Sequence, residues 1–138
     1  MGFIRTQVAG VGRIPHNLRS GDGYVANVLP KVYAAETDET ITTAELSGGH
    51  ILQGTTLTSD VIYTLPTSVL IEAEWPEMDV GDSYCFYVGN TQAGAFDVVI
   101  AVGAGTTAVG ANNSLSVPPQ AGRMFVLVKT SATTHDLY

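Results

Sequence analysis

Short apolar segments, separated by turn residues at regular intervals, dominate the second half of the sequence. Segments 83–88, 96–102, 106–109, 114–117 and 123–130 are separated by stretches rich in Gly, Asn or Pro, and shorter segments of this kind precede them at 40–46, 50–53 and 60–65. Alternation with a period of two is typical of β-strands, and many short strands at this spacing indicate sheets rather than alternating strand–helix units. We therefore predict an all-β fold, an antiparallel β-sandwich or barrel (jelly-roll-like), with one short helix and an extended N-terminal arm.

Two of the predicted strands are apolar on both faces at their centres. In 96–102, Val98 and Ile100 alternate with Val99, and in 123–129 the same pattern places Phe125 opposite Val126. A strand of this kind has one face in the interior and a second face that also needs cover. The second face therefore predicts either a covering helix or a neighbouring subunit.

The predicted helix lies between Pro66 and Pro76. Thr67 or Ser68 can cap its first amides, and Pro76 lacks the amide that a helix needs, so the helix is expected to end near Trp75. We expect Val69, Leu70, Ala73 and Trp75 to form the apolar side, with Glu72, Glu74 and Glu77 facing water. Trp75 is the predicted anchor of this helix on the β-domain.

Charge divides the chain into a basic arm and an acidic body. Residues 1–35 contain four basic residues and one acidic residue, a net charge of +3, whereas residues 36–138 contain two basic and twelve acidic residues, a net charge of −10. The first part is also rich in glycine, with a first strand predicted at 24–33. We predict an extended arm with the first strand at 1–35 and a β-sandwich domain at 36–138.

No motif in the sequence predicts catalysis or a cofactor. His16, His50 and His135 are far apart, none has a second ligand at metal spacing, and no Gly-x-Ser-x-Gly elbow nominates a nucleophile. Cys85 alternates with aromatic residues and is predicted to be a small core residue. We therefore predict no catalytic, cofactor-binding or metal-binding residues, and no enzyme.

Three weaker binding patterns remain as alternatives. Residues 103–108 fit Gly-x-Gly-x-x-Ala, but the sequence after them favours a strand, so a hairpin loop is expected rather than a dinucleotide site. Asp79 and Asp82 flank a glycine, and turn chemistry explains them without calcium. An aromatic sugar-stacking face is a further alternative, formed by Tyr63, Trp75, Tyr84 and Tyr87.

No segment approaches the roughly 18 apolar residues of a membrane-spanning helix, and no secretory signal follows Met1. We expect a soluble product without a membrane partner. Residues 1–6 fit the permissive myristoylation pattern, which we do not favour.

The order of these segments resembles a module of tailed-phage virion proteins, of the capsid decoration (cement) or head-fibre type. The resemblance covers about residues 40–138 and rests on Leu65–Thr67, the short helix, Val80–Ser83, the aromatic strand, Gly89–Thr91, Val98–Gly105 and Arg123–Lys129. It implies a small β-domain that assembles as a homotrimer, binds the major capsid protein on the outer capsid surface of the virion and stabilises the shell. Direct contact with nucleic acid is not expected.

The basic arm completes this interpretation. We expect the arm to face the capsid through five residues: Phe3, Ile4, Arg5, Arg13 and Arg19. The alternative is a tail or head fibre, or receptor-binding module, that recognises host surface glycan.

Overall fold

The computed structural model describes residues 30–110 and 115–138. These residues form ten strands and two short helices: β1 (Lys31–Tyr33), β2 (Glu39–Thr40), α1 (Thr43–Ser47), β3 (His50–Gln53), β4 (Val61–Thr64), α2 (Ser68–Glu74), β5 (Ser83–Asn90), β6 (Val98–Ala101), β7 (Thr106–Ala108), β8 (Ser116–Val117), β9 (Ala121–Lys129) and β10 (His135–Leu137). The structure is therefore mostly β, as predicted, but it contains a second helix. None of the helices in the described residues is long and apolar enough to cross a membrane.

The strands form two sheets. Sheet A has the order β1-β3-β5-β9-β10-β7, and sheet B has the order β2-β4-β6-β8. From β1 to β6 the chain alternates between the sheets, so each sheet receives every second strand. The first strand predicted in the arm therefore contributes β1 to the edge of sheet A, through residues 31–33.

Strand direction differs from the prediction. Five of the eight strand pairs are parallel, β1–β3, β3–β5, β7–β10, β2–β4 and β4–β6. Only β5–β9, β9–β10 and β6–β8 are antiparallel. The antiparallel prediction was wrong for the parallel pairs because a strand that returns to its sheet after crossing the other sheet runs in the same direction as before. Alternation of side chains reports which face a residue occupies, not the direction of the neighbouring strand.

The two sheets share one buried core. Sheet A contributes aromatic and aliphatic side chains from β5 and β9, and sheet B contributes side chains from β4, β6 and β8. The fully buried residues include Tyr63, Tyr84, Phe86, Val98, Val117, Phe125 and Leu127. Val98 and Ile100 lie on one face, as predicted, and so do Phe125 and Leu127; the structure shows that this is the buried face of each strand.

Helix α1 replaces the strand expected at 40–46. Its Thr42 hydroxyl accepts a hydrogen bond from the Glu45 amide at 3.2 Å, and the Glu45 carboxylate accepts one from the Thr42 amide at 2.9 Å. This reciprocal capping box satisfies amides that the first turn of a helix leaves open. Leu46 fills the core from this helix.

Helix α2 begins and ends as predicted, but it buries a different face. Thr67 is the N-cap, and the helix stops before Pro76. Ile71 and Trp75 are buried as the helix packs on sheet A, whereas Val69 and Leu70 are 69% and 54% exposed.

The expected apolar side of α2 was therefore wrong at Val69, Leu70 and Ala73, and it is confirmed at Trp75. The Trp75 and Tyr84 rings lie 4.4 Å apart between centroids. The polar Ser68 is buried in the first turn of α2, where its hydroxyl group lies within hydrogen-bond distance of Thr106 and His135.

The Gly-x-Gly-x-x-Ala segment crosses from one sheet to the other. It leaves β6 in sheet B and enters β7 in sheet A, so a strand follows the glycines as predicted. The expected hairpin was wrong, because β6 and β7 are not neighbours in a sheet. Gly105 has a φ of +85°, a conformation that favours glycine.

Candidate functional site

The outer face of sheet A, meaning the side turned away from the core, is the first candidate interaction surface among the described residues. It consists of the strand residues that alternate with the core: Val32, His50, Leu52, Ser83, Cys85, Tyr87, Thr107, Met124, Val126, Val128, Asp136 and Tyr138. Val32, Met124 and Tyr138 are 48%, 57% and 49% exposed. Asp136 is the one acidic side chain among these twelve residues, and none of them is Lys or Arg. The surface is therefore nearly uncharged and partly apolar.

Strand register brings the apolar side chains of this face into continuous rows. Tyr87 lies opposite Met124, and Cys85 lies opposite Val126. Val126 exchanges two backbone hydrogen bonds with Tyr138, at 3.0 and 2.9 Å. Six strands at a spacing of about 4.8 Å make the face roughly 24 Å wide. These rows match the second apolar face that the sequence predicts for 123–129, whereas 96–102 contributes β6 to sheet B.

Two glycines paired across β5 and β9 seat the Tyr87 ring flat on this surface. Gly89 pairs with Gly122, and a Cβ added at Gly122 would lie 1.6 Å from the Tyr87 hydroxyl oxygen. The His50 ring meets the Tyr87 ring edge-on with a centroid distance of 4.9 Å. The aromatic ring therefore covers exposed backbone and keeps the middle of the face flat.

Neither helix covers the outer face. The Tyr84 hydroxyl donates to the Leu46 carbonyl of α1 at 2.6 Å, and Trp75, the C-cap of α2, packs against the same tyrosine. Tyr84 points into the core, so both helices pack on the inner side of sheet A. Within the described residues, the outer face is open to a partner.

Cys85 lies exposed on this face. The prediction that it is a small core residue was wrong, because the strand alternation that buries Tyr84 and Phe86 turns Cys85 to the other side. The thiol is therefore a natural reporter of whether the face is covered.

A second candidate site is a pocket of about 430 Å³ at the carboxyl ends of the parallel strands β2, β4 and β6. Threonines contribute its hydroxyl groups: Thr40, Thr42, Thr43, Thr64 and Thr67. The other lining residues are Ile, Leu, Pro, Val, Gly and Ala, and none of the lining residues is charged. Leu70 is the exposed residue of α2 that closes one side.

The start of β1 is tied to the rim of this pocket. Lys31 Nζ lies 2.6 Å from Glu45 Oε1, while Glu45 Oε2 accepts hydrogen bonds from the Thr42 amide and hydroxyl, each at 2.9 Å. Burial alone would raise the pKa of the Glu45 carboxyl, but hydrogen bonds from Lys31, Thr42 and Tyr33 outweigh it and lower that pKa to about 2. The carboxylate therefore stays ionised and joins β1 to the pocket rim.

A buried polar cluster between α2 and sheet A is the third candidate. His135 Nδ1 lies 2.9 Å from Ser68 Oγ, which lies 3.2 Å from Thr106 Oγ1. Lys129 Nζ donates to Glu72 Oε1 and to the Met78 carbonyl, both at 2.7 Å. His135 Nε2 lies 3.4 Å from Glu72 Oε2 and makes no hydrogen bond in the described residues.

Ser68, His135 and Glu72 have the residue types of a hydrolytic triad, but the cluster is closed to solvent. Ser68 and His135 are each only 1% exposed. Burial lowers the pKa of His135, the Glu72 carboxylate opposes that shift, and the Lys129 ammonium adds to it. A nucleophile acts only where a substrate carbonyl can reach it. The arrangement holds α2 on sheet A, and no sequence motif indicates it beyond the i, i+4 spacing of Ser68 and Glu72.

The structure separates the other predicted binding residues. Tyr63, Trp75 and Tyr84 are buried in the core, and only Tyr87 of the proposed sugar-stacking set reaches the surface, so that set does not form one face. Asp82 Oδ2 accepts a hydrogen bond from the Asp79 amide at 2.9 Å, as turn chemistry predicts. The described residues include no group of three or more His, Cys, Asp or Glu side chains placed to hold a metal ion.

The five residues predicted to face a capsid lie outside the described residues: Phe3, Ile4, Arg5, Arg13 and Arg19. His16 lies outside them as well, whereas His50 is on the outer face and His135 is in the buried cluster.

Comparison of the chain with protein-family models, with curated proteins and with solved structures finds no match.

Proposed function

We propose that this chain is a structural protein of a tailed-phage virion, a capsid decoration protein that binds the outer capsid surface as a homotrimer and stabilises the shell. In this proposal the two sheets form a β-sandwich, the outer face of sheet A contacts neighbouring copies, and the basic arm contacts the major capsid protein. No catalytic step, cofactor or direct nucleic-acid contact is part of it.

The observation that supports self-assembly is the uncharged, partly apolar outer face of sheet A. Exposed apolar patches larger than a few hundred Å² are rare on monomeric soluble proteins and mark interaction surfaces. Here Met124 and Tyr138 stand out from a flat centre formed by Tyr87, and no Lys or Arg of the strands interrupts it. Copies that carry a net charge of −7 each repel one another, so an uncharged face is the favourable place for them to meet.

Solution mass tests the assembly. We expect light scattering to give about three protomers for the unmodified chain. Met124→Asp places a charge at the centre of the outer face and is expected to give monomers, because an unpaired carboxylate in an interface is costly. Ile62→Asp is the matched control, since Ile62 is 41% exposed on a strand of sheet B. A monomeric unmodified chain, or the same mass for both variants, would refute the role of this face.

Cys85 gives a second readout without any substitution. Its exposed thiol reacts freely in a monomer but is covered in the proposed trimer. We expect alkylation by iodoacetamide to become faster on dilution and in the Met124→Asp variant. An alkylation rate that is independent of protein concentration would contradict the proposal.

Capsid attachment is tested separately through the arm. Arg5, Arg13 and Arg19 replaced together by Gln are expected to reduce co-sedimentation with empty phage shells, because several weak charged contacts act together in a trimer. The trimeric mass is expected to stay unchanged in this variant. Unchanged shell binding would remove the arm from the proposal, whereas saturable binding of host glycan would favour the receptor-binding alternative.

A further inference from the structure

We propose that the pocket at the carboxyl ends of β2, β4 and β6 binds an uncharged small molecule with an apolar body and a hydrogen-bond acceptor, such as a carbonyl oxygen. The pocket shares no lining residue with the outer face of sheet A. Binding of this ligand therefore depends neither on trimer formation nor on capsid attachment.

The size and construction of the pocket suit a small molecule. Its volume of about 430 Å³ falls within the range of about 300–1,000 Å³ that is usual for ligand pockets. The residues that follow the ends of β2, β4 and β6 all contribute to its wall, as ranges 41–43, 65–67 and 102–104. The exposed Leu70 of α2 adds an apolar side. Three separate chain segments and a helix therefore surround one concave space.

The charge around the pocket favours a neutral ligand. None of the lining residues is charged, so an ion would lose its hydration there without gaining a partner of opposite charge. At the rim, the Glu45 carboxylate already has Lys31 as its partner at 2.6 Å. Residues 36–138 carry a net charge of −10, which further opposes the entry of an anion. Nucleotides, phosphates and carboxylic acids are therefore poor ligands for this site.

The wall combines apolar surface with unused hydroxyl groups. Two of its five threonines use their hydroxyls to cap helices, Thr42 in α1 and Thr67 in α2. The hydroxyls of the other three make no hydrogen bond to any residue that the structure describes: Thr40, Thr43 and Thr64. A threonine hydroxyl can donate to a carbonyl oxygen of a ligand, while the aliphatic wall receives the apolar body.

The composition of the wall also separates this ligand from a sugar. The lining residues are Thr, Ile, Leu, Pro, Val, Gly and Ala, and none of them has an aromatic ring on which a sugar could stack. The site therefore does not serve the glycan-binding alternative considered above.

Fluorescence titration with prodan, an uncharged dimethylaminonaphthalene ketone, tests the proposal on the full chain. Its emission moves to shorter wavelength when the dye leaves water, and we expect saturable binding of one dye per chain. Leu70→Asp places a carboxylate in the wall and is expected to weaken binding by about tenfold or more. Val69→Asp is the matched control, because Val69 is the neighbouring exposed residue of α2 and does not line the pocket. We expect this control to bind prodan as the unmodified chain does.

A second variant tests the hydroxyl groups and does not rely on Leu70→Asp folding. Thr40, Thr43 and Thr64 replaced together by Val keep the branched shape of each side chain and lose three hydroxyls. We expect this variant to bind prodan about threefold to tenfold more weakly, the effect of one lost hydrogen bond. Its affinity for dimethylaminonaphthalene, which lacks the carbonyl, is expected to stay unchanged. Equal losses for both dyes would refute the role of the hydroxyls.

Four results would overturn the proposed site. They are no saturable binding by the unmodified chain, equal affinities of Leu70→Asp and Val69→Asp, and binding of the anionic dye anilinonaphthalene sulfonate as tight as that of prodan. The fourth is binding that is lost in Met124→Asp and kept in Leu70→Asp, because the dye would then lie on the outer face of sheet A.

Discussion

Removal of the Lys129 ammonium tests how firmly α2 is held on sheet A. Lys129 is 7% exposed and donates to Glu72 and to the Met78 carbonyl. Breaking a fully buried ion pair costs about 3–5 kcal/mol, because the remaining charge is left uncompensated. The Glu72 side chain is 22% exposed and keeps part of its hydration. We therefore expect Lys129→Met to lower the free energy of unfolding by about 2–3 kcal/mol.

A double-mutant cycle separates the pair from its surroundings. Glu72→Gln keeps the shape of the side chain and removes its charge, so the double variant no longer contains an unpaired carboxylate. We expect the double variant to be more stable than the sum of the two single losses predicts, by about 1–2 kcal/mol. Urea unfolding followed by circular dichroism at one fixed protein concentration measures each term.

The pair of Lys31 and Glu45, in which the cation is the more exposed partner, provides the control. The Lys31 side chain is 40% exposed, so Lys31→Met is expected to cost less than about 1 kcal/mol. If the losses from Lys129→Met and Glu72→Gln add to within about 0.5 kcal/mol, the two groups do not interact and the reasoning fails. A loss below that of Lys31→Met would also contradict it.

Three further results are expected. Since burial lowers the pKa of His135, the unfolded chain binds a proton at this residue more readily than the folded chain does. This contribution to stability is therefore present above pH of about 6.5 and is lost as the pH falls below it. His135→Gln should make the urea midpoint depend less on pH between pH 8 and pH 5. Trp75→Ala should lower the free energy of unfolding by about 3–5 kcal/mol, because Trp75 is 4% exposed and packs on Tyr84; retention of the urea midpoint would contradict this. Added salt should weaken binding of the arm to shells but leave or strengthen trimer formation, as measured by sedimentation and light scattering; parallel responses would contradict separate contact surfaces.

The sequence was sufficient to place most strands and to group the residues of each face, because a period of two identifies one face of a strand directly. Val98 with Ile100, and Phe125 with Leu127, show this. Strand direction was not predictable in the same way, since the parallel pairs arise from the alternation of the chain between two sheets, and each pair joins segments that are distant in sequence. Non-local order of this kind leaves no local pattern.

In the two helices, hydrogen bonds of individual side chains give a different result from the one that residue propensity and apolar character predict. The run Thr40-Ile41-Thr42-Thr43 favours a strand by propensity, but the reciprocal bonds between Thr42 and Glu45 start α1 within it. In α2 the caps were predictable from Thr67 and Pro76, whereas the buried face was not. Val69 and Leu70 were predicted to be on the buried face because they are apolar. The structure instead buries Ser68, whose hydroxyl group is hydrogen-bonded to His135.

The candidate sites divide in the same way, into one that a local pattern predicts and others that depend on contacts between distant segments. The outer face of sheet A was predictable as a second apolar face, because its residues are periodic in single strands. The cluster of Ser68, Glu72, Lys129 and His135 was not, because its members come from three elements up to 67 residues apart. The pocket likewise combines the ends of three strands that only the parallel order of sheet B brings together.

The distribution of charge over the fold explains why assembly would use sheet A. Three acidic side chains in the loops that lead into sheet B accept backbone hydrogen bonds. Glu36 accepts from the Ser59 amide at 2.9 Å, Asp38 from the Ile62 amide at 2.8 Å and Asp60 from the Asp97 amide at 2.8 Å. These carboxylates have local structural roles and are three of the twelve acidic residues of the body. The outer face of sheet A, by contrast, has Asp136 as its one acidic residue and is nearly neutral. Two acidic bodies can then approach through that face with little desolvation of charge, while their acidic loops remain in water, available to the basic arms of neighbouring copies.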